Sequence, residues 1–223
     1  MDLKIIFEFL IDLRFNNNRN WFKENNDRYQ KAKLEFEQFI DLLIPKLKQI
    51  DKSIDVLSAK DCVFRIYKDV RFSKNKEPYK THFGAFIAKG GRKSPYAGYY
   101  IHFEPDNSFI GGGIYQPEPK LLKSIRTQIF EDVETYKVII NNVEFKKYFP
   151  EIFGEKLKTA PRGFSKDFAD IDLLNNKHYA VSYGVNNSFW FNNKLIENIS
   201  DVFLKQYKFN QFLNNIVDKT TQY

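Results

Sequence analysis

The sequence predicts an α+β fold: a single domain whose central antiparallel sheet packs against N-terminal and C-terminal helices. Three observations lead there. The first fifty residues and much of the last hundred carry apolar residues at three- and four-residue spacing, the helical period. From about residue 62 the period changes to two, and β-branched and aromatic residues accumulate. No repeat, low-complexity tract or Gly/Ser linker interrupts the 223 residues, a length that suits one large domain. The expected layout is N-terminal helices over 3–50, a sheet over about 62–116 and a C-terminal helical part over 119–223.

Residues 3–13 place Ile6, Phe9, Leu10 and Leu13 on one helical face. "NNNRN" at 16–20 ends that helix and supplies caps for the next. The next is long. Phe22, Tyr29, Phe36, Ile40, Leu43, Leu47 and Ile50 keep the spacing, Lys33 is the one break, and a kink or restart is expected at Pro45. "VFRIYKDVRFS" is the first expected strand, "KNKEPY" a loop, "HFGAFIA" a second strand and "KGGRKSP" a turn. "YAGYYIHFEP" is a third strand, "DN" begins a hairpin turn and "SFIGGGIY" is a fourth. Pro119 opens another helix, and more helix is expected over 131–148. "YAVSYGV" at 179–185 reads as a late strand, and 194–217 as an amphipathic closing helix that loses regularity near Asn210.

The charge is localised. Residues 60–93 hold ten basic and three acidic side chains, a net of +7; the other 189 residues carry 25 of each and are neutral. A local field of this kind attracts phosphates and other anions, whereas evenly spread lysine mainly affects solubility. The abundance of Asn, Ile, Phe and Tyr also suggests an AT-rich genome. No apolar run is long enough for a transmembrane helix, so no membrane association is expected. The acid-containing N-terminus does not read as a signal peptide. Cys62 is the one cysteine, which excludes an internal disulfide and fits a cytoplasmic setting. It reads as a small core residue.

On the strand expected at 63–73, Phe64, Ile66, Val70 and Phe72 share one face, and Arg65, Tyr67, Asp69, Arg71 and Ser73 the other. A straight strand holds Arg65 and Arg71 roughly 20 Å apart, so one phosphate reaches both only across a bend or bulge. Lys68 interrupts the apolar face and either snorkels to solvent or marks a bulge near Lys68–Asp69. Asp69 is placed to orient Arg71. The following loop adds Lys74, Lys76, Tyr79, Lys80 and His82, with Pro78 pre-shaping it. Lys80 and His82 alternate onto one side of the next strand. Arg65, Lys68, Asp69, Arg71, Ser73, Lys76, Tyr79, Lys80 and, further on, Arg126 are therefore the candidate anion-binding set. The structural reading beside it is a solvated, ion-paired sheet face.

Catalytic candidates are fewer: His82, His102 and Asp69. His102 lies two residues before Glu104 on one strand face, a pair suited to acid–base work or metal ligation. Two ligands do not make a site, and no H-x-x-x-H or C-x-x-C supports one, so no metal is expected. The glycines at 111–113 permit close backbone approach, a bulge or an anion nest. No P-loop lysine follows them, and G-x-G-x-x-G and G-x-S-x-G are absent, so no cofactor is expected. Trp21 and Phe22 read as core.

The stretches "FLIDLRFNNNRNWFKENNDRY", "IYKDVRFSKNKEPYKTH", "GYYIHFEPDNSFIGGGIYQPEPKLLKSIR" and "LKTAPRGFSKDFADIDLL" together resemble a bacterial and fungal family called domain of unknown function 2461. The resemblance runs from about Phe9 to the end. Its central pattern maps onto Tyr67, Lys68, Asp69, Arg71, Phe72, Ser73, Lys76, Pro78, Tyr79 and Lys80. Flanking positions are Asn17, Trp21, Phe22, Gly113, Pro117 and Arg126. Relatives often carry Arg at position 68, Asp at 75 and "DHP" where this chain has "DFA" at 167–169. Lys68 keeps the charge but loses the bidentate fork, and Asn75 removes a carboxylate. The resemblance implies a fold and a hot region and assigns no reaction.

Three functions follow from these residues. The first is a site for an anionic, phosphate-bearing small molecule or nucleotide, with or without catalysis. The second is nucleic-acid binding, with Tyr67, Phe72 and Tyr79 stacking bases between cations. The third is a non-catalytic structural or interaction domain. The oligomeric state is not encoded in any of these features.

Overall fold

The computed structural model describes residues 1–71 and 74–221. Among the described residues, eight helices and a four-stranded antiparallel sheet make an α+β fold. The order along the chain is α1 (Leu3–Phe15), α2 (Arg19–Glu24), α3 (Asn26–Ile50), β1 (Phe83–Ile87), β2 (Gly98–Phe103), β3 (Ser108–Ile114), α4 (Pro119–Glu131), α5 (Val133–Ile140), α6 (Val143–Tyr148), α7 (Ile171–Leu174), β4 (Tyr179–Val185) and α8 (Leu195–Thr221). The sheet order is β1-β2-β3-β4. Short 3-10 turns lie at Ala59–Asp61 and Asn187–Phe191. No helix among the described residues is long and apolar enough to cross a membrane.

The N-terminal helices form for local reasons. Asp2 caps α1 by accepting from the Lys4 N–H, and Asn18 caps α2 by accepting from the Trp21 N–H. Asn25 ends α2 and precedes α3, which splits the expected long helix in two. The buried stripe of α3 runs through Tyr29, Ala32, Phe36, Phe39, Ile40, Leu43, Ile44 and Leu47. Ala32 fills the place the spacing gave to Lys33, and Lys33 flanks it and pairs with Glu37 at 3.5 Å. The helix continues through Pro45. Pro45 and Asp41 both lie on its exposed side, so the carbonyl that loses its donor is not sealed in the core.

The chain groups into two compact units. The first comprises Met1–Arg92, Tyr100–Ile110 and Gly184–Ser200. Its core is aromatic: Phe36 stacks on Phe83 at 5.3 Å between ring centres, and Phe103 meets Trp190 at 4.6 Å. The second comprises Lys93–Tyr99, Gly111–Tyr183 and Asp201–Tyr223. Its core joins Tyr99 to Phe203 (5.1 Å) and Phe145 to Phe209 (5.6 Å). Here Gln206 and Asn210 of α8, both fully buried, donate to the Gly98 carbonyl at 3.0 Å each, and Asn214 exchanges hydrogen bonds with Ala97. The irregularity near Asn210 is thus a ladder of buried amides at four-residue spacing gripping the start of β2.

The strand expected at 63–73 is the main correction. Its described residues, 63–71, pair only through isolated bridges, Val63 with Ala85 and Tyr67 with Tyr79. The N–H groups of Phe64 and Lys80 donate to Gly84 and Ile66, and that of Lys68 to the Pro78 carbonyl. Pro78 has no N–H to return, so a regular ladder cannot continue. The sheet therefore begins at Phe83 rather than about 62, and its fourth strand is β4. The expected alternation survives in part: Ile66 is buried while Arg65 and Tyr67 are exposed.

Candidate functional site

The candidate cations fall into two groups. Some already have polar partners in the loop. Arg71 forks onto Asp69, with Nε to Oδ1 at 2.9 Å and Nη2 to Oδ2 at 2.7 Å. That pair holds the Asp69 carboxyl below its ordinary value. Lys68 pairs with Glu77 at 3.1 Å, and Lys76 Nζ donates to the Val70 carbonyl at 3.2 Å. Lys68 thus uses its charge within the loop and does not need the fork it lacks. Ser73 lies outside the described residues.

Arg65 and Lys80 form the other group. Neither meets a carboxylate among the described residues. Lys80 is half-buried, with its ammonium 5.6 Å from the centre of the Phe64 ring. Burial, and then the Arg65 charge, lower the Lys80 pKa from its ordinary value. Tyr79, beside it, is buried and stacked on Phe22 at 3.8 Å.

The strand period assembles the rest. Tyr100, His102 and Glu104 are alternate residues, so β2 and its end present them on one face. His102 Nε2 lies 3.1 Å from Glu104 Oε2, and Tyr100 Oη lies 3.2 Å from His102 Nδ1. Thr81 Oγ1 donates to Glu104 Oε1, and Asn107 Nδ2 donates to Glu104 Oε2 at 2.9 Å. Just before β1, His82 sets its ring 4.0 Å from that of His102. Phe109 of β3 stacks on His102 at 4.5 Å. Gly84 makes room for Tyr100: a Cβ there would stand 2.8 Å from the phenol oxygen.

Burial sets the electrostatics of this face. It drives His82 down to about 3, with the His102 ring adding to the shift, so His82 is neutral at pH 7. Burial pushes Glu104 up, but hydrogen bonds from His102, Thr81 and Asn107 prevail and hold it at about 2. Tyr100 is raised to about 12 by burial and the Glu104 charge. One ligand-capable atom from each of His82, His102 and Glu104 lies within 4.8 Å of the other two.

Sequence reading had paired His102 with Glu104 and placed His82 on a strand face. It missed that the two sets converge, and it missed Tyr100, Thr81 and Asn107. The signal for Tyr100 was present in its two-residue offset from His102. Of the remaining candidates, Arg126 belongs to the second unit, where its Nη2 donates to the Asn176 carbonyl at 2.9 Å. His178 accepts from the Gln116 N–H at 3.0 Å and stacks on Tyr115. The glycines of β3 serve close approach: Cβ atoms at Gly111 and Gly112 would stand 2.0 Å from the carbonyl oxygens of Val181 and Gly98. Cys62 is a free, buried thiol raised to about 12 by burial.

No curated protein and no solved structure matches the chain. The profile of the conserved hypothetical protein family DUF2461 matches residues 5–212, which include the basic arm, both histidines and Glu104, and the chain belongs to that family.

Proposed function

We propose that the protein binds a phosphate-bearing small ligand or nucleotide against Arg65 and Lys80, beside the His82–His102–Glu104 face. The observation that carries this reading is the pair of cations that make no salt bridge among the described residues, with Lys80 half-buried beside the Arg65 charge. A half-buried ammonium next to a second positive charge is unfavourable in the empty protein, and an anion relieves it. Arg71, Lys68 and Lys76 already have partners and take a secondary part, shaping the loop. A neutral His82 near the ligand can offer it a hydrogen bond. A cytoplasmic setting, which the free Cys62 thiol suits, belongs to the same reading.

Nucleic acid is the second reading, favoured by Tyr67. Tyr67, two residues from Arg65, is 47% exposed while its ring packs on Tyr79 at 5.4 Å, which offers a stacking platform. Calorimetric titration with pyrophosphate, a nucleoside monophosphate and a single-stranded oligonucleotide tests both. Lys80→Met and Arg65→Gln are expected to weaken small-anion binding by about tenfold or more, and Arg71→Gln by about twofold. Unchanged binding by Lys80→Met overturns the proposal. A preference for the oligonucleotide with steep salt dependence transfers it to the second reading.

A further inference from the structure

We propose that His82, His102 and Glu104 form a binding site for one divalent first-row transition-metal ion, with zinc as the reference ligand. This goes beyond anion binding and rests on the histidine–carboxylate face, whereas the anion proposal rests on the Arg65 and Lys80 charges. Two imidazoles and a carboxylate are a donor set for zinc, iron(II), cobalt(II) or manganese(II), and a poor one for calcium or magnesium, which take oxygen ligands.

The spacing fits. His102 Nε2 and Glu104 Oε2 are 3.1 Å apart, close to the separation of adjacent ligands held about 2.1 Å from one ion. The ligand atoms all lie within 4.8 Å of one another. Bringing every pair in to about 3.4 Å requires a shift of no more than about 1.4 Å in one imidazole.

The surroundings have the form of an outer ligand shell. A histidine that ligates through Nε2 donates its Nδ1–H to an oxygen, and Tyr100 Oη stands 3.2 Å from His102 Nδ1. The Glu104 carboxylate is oriented by donors on both oxygens, from Thr81 and Asn107. Phe109 stacks on the His102 ring and fixes its plane.

A plain hydrogen-bonded pair explains His102 and Glu104, but it does not explain His82. The ring of His82 is largely withdrawn from solvent and makes no hydrogen bond among the described residues. Its one recorded ring contact is the neighbouring imidazole. A ring nitrogen left without a protein partner and lying beside His102 and Glu104 is free to ligate, and an ion shared with them would use it. Lys80 lies near enough for its charge to act on His82 and opposes a cation, while Glu104 favours one. Three protein ligands leave further coordination positions open, as in catalytic rather than structural sites.

The test uses chelator-stripped full-length protein titrated with zinc and, separately, with cobalt. One equivalent should bind, and cobalt should give visible ligand-field absorption. His82→Ala and Glu104→Gln should each weaken binding at least about tenfold, and Thr81→Val should weaken it by about tenfold. Lys80→Met should keep or tighten zinc binding while losing pyrophosphate, so the two proposals fail separately. Histidine-ring nitrogen NMR of the wild-type protein covers any variant that does not fold. Zinc should shift the ring nitrogens of His82 and His102 and leave those of His178 in place. No binding, or binding that shifts only His178, overturns the proposal.

Discussion

Asn17 holds Tyr79 by both halves of its backbone: its Nδ2 donates to the Tyr79 carbonyl at 2.9 Å, and its Oδ1 accepts from the Tyr79 N–H at 3.1 Å. A side-chain amide thus does what a neighbouring strand would do, where the basic arm turns back toward β1. Asn17→Asp is nearly isosteric but removes the donor and sets a charge against a carbonyl. It should cost about 1–3 kcal/mol in urea unfolding and speed hydrogen exchange at the Tyr79 amide. Exchange at Tyr79 equal to wild type would show that the clamp does not matter.

The same residue is fixed from its other side by Phe22, whose ring stacks on Tyr79 3.8 Å away and nearly parallel, at 10°. Phe22 is 4% exposed. Phe22→Ala should cost about 3–5 kcal/mol, and Phe22→Leu distinctly less. Because Tyr79 precedes Lys80, Phe22→Leu should also weaken pyrophosphate binding without removing any charge.

The β3 glycines give a sharp contrast. Gly111→Ala drives a methyl group onto the Val181 carbonyl, and Gly112→Ala onto that of Gly98, where φ is also +148°. Either should cost about 3 kcal/mol or more, because backbone rather than a flexible side chain stands in the way. At Gly184 nothing lies within 4 Å of the added methyl. Gly184→Ala should be neutral or stabilising by about 0.5 kcal/mol. Thermal unfolding of the three variants decides the point.

Acid should weaken the metal-free protein earlier than its carboxylates alone require. The folded chain keeps His82 neutral down to about 3, whereas the unfolded chain protonates it near 6.5. The unfolded state therefore binds more protons in that window, and stability falls as pH drops through it. Glu104, held at about 2 against an ordinary 4.5, adds a second loss below pH 4.5. His178, lowered by burial, acts in the same sense as His82. Between pH 6.5 and 4.5 the His82 share should be about 2 kcal/mol. His82→Asn should flatten that part of the profile, and an unchanged slope would assign it elsewhere.

Helices were legible in the sequence because their signals are local. The stripe from Tyr29 to Leu47 and the cap at Asn18 depend on neighbours three or four residues away. The basic arm misled because its β-branched and aromatic content is that of a strand, while the lack of an N–H at Pro78 is felt across the chain, at Lys68. The candidate site was half legible. Period two placed His102 with Glu104, but only the pairing of β1 with β2 brings His82 to them. Which cations are already neutralised was hidden as well. The Asp69–Arg71 contact is local and was foreseen, whereas Lys68 to Glu77 depends on how the loop closes.

The position of β4 in the chain has a consequence for synthesis. β1, β2 and β3 follow one another within 83–114, yet the strand that covers the outer edge of β3 arrives only at Tyr179. During translation, β3 is complete some sixty-five residues before its partner exists. Its glycines offer no side-chain bulk to fend off another strand, so the nascent chain carries an open edge through that interval. Fragments ending before residue 179 are accordingly expected to associate with one another, with chaperones holding the edge apart until β4 closes it.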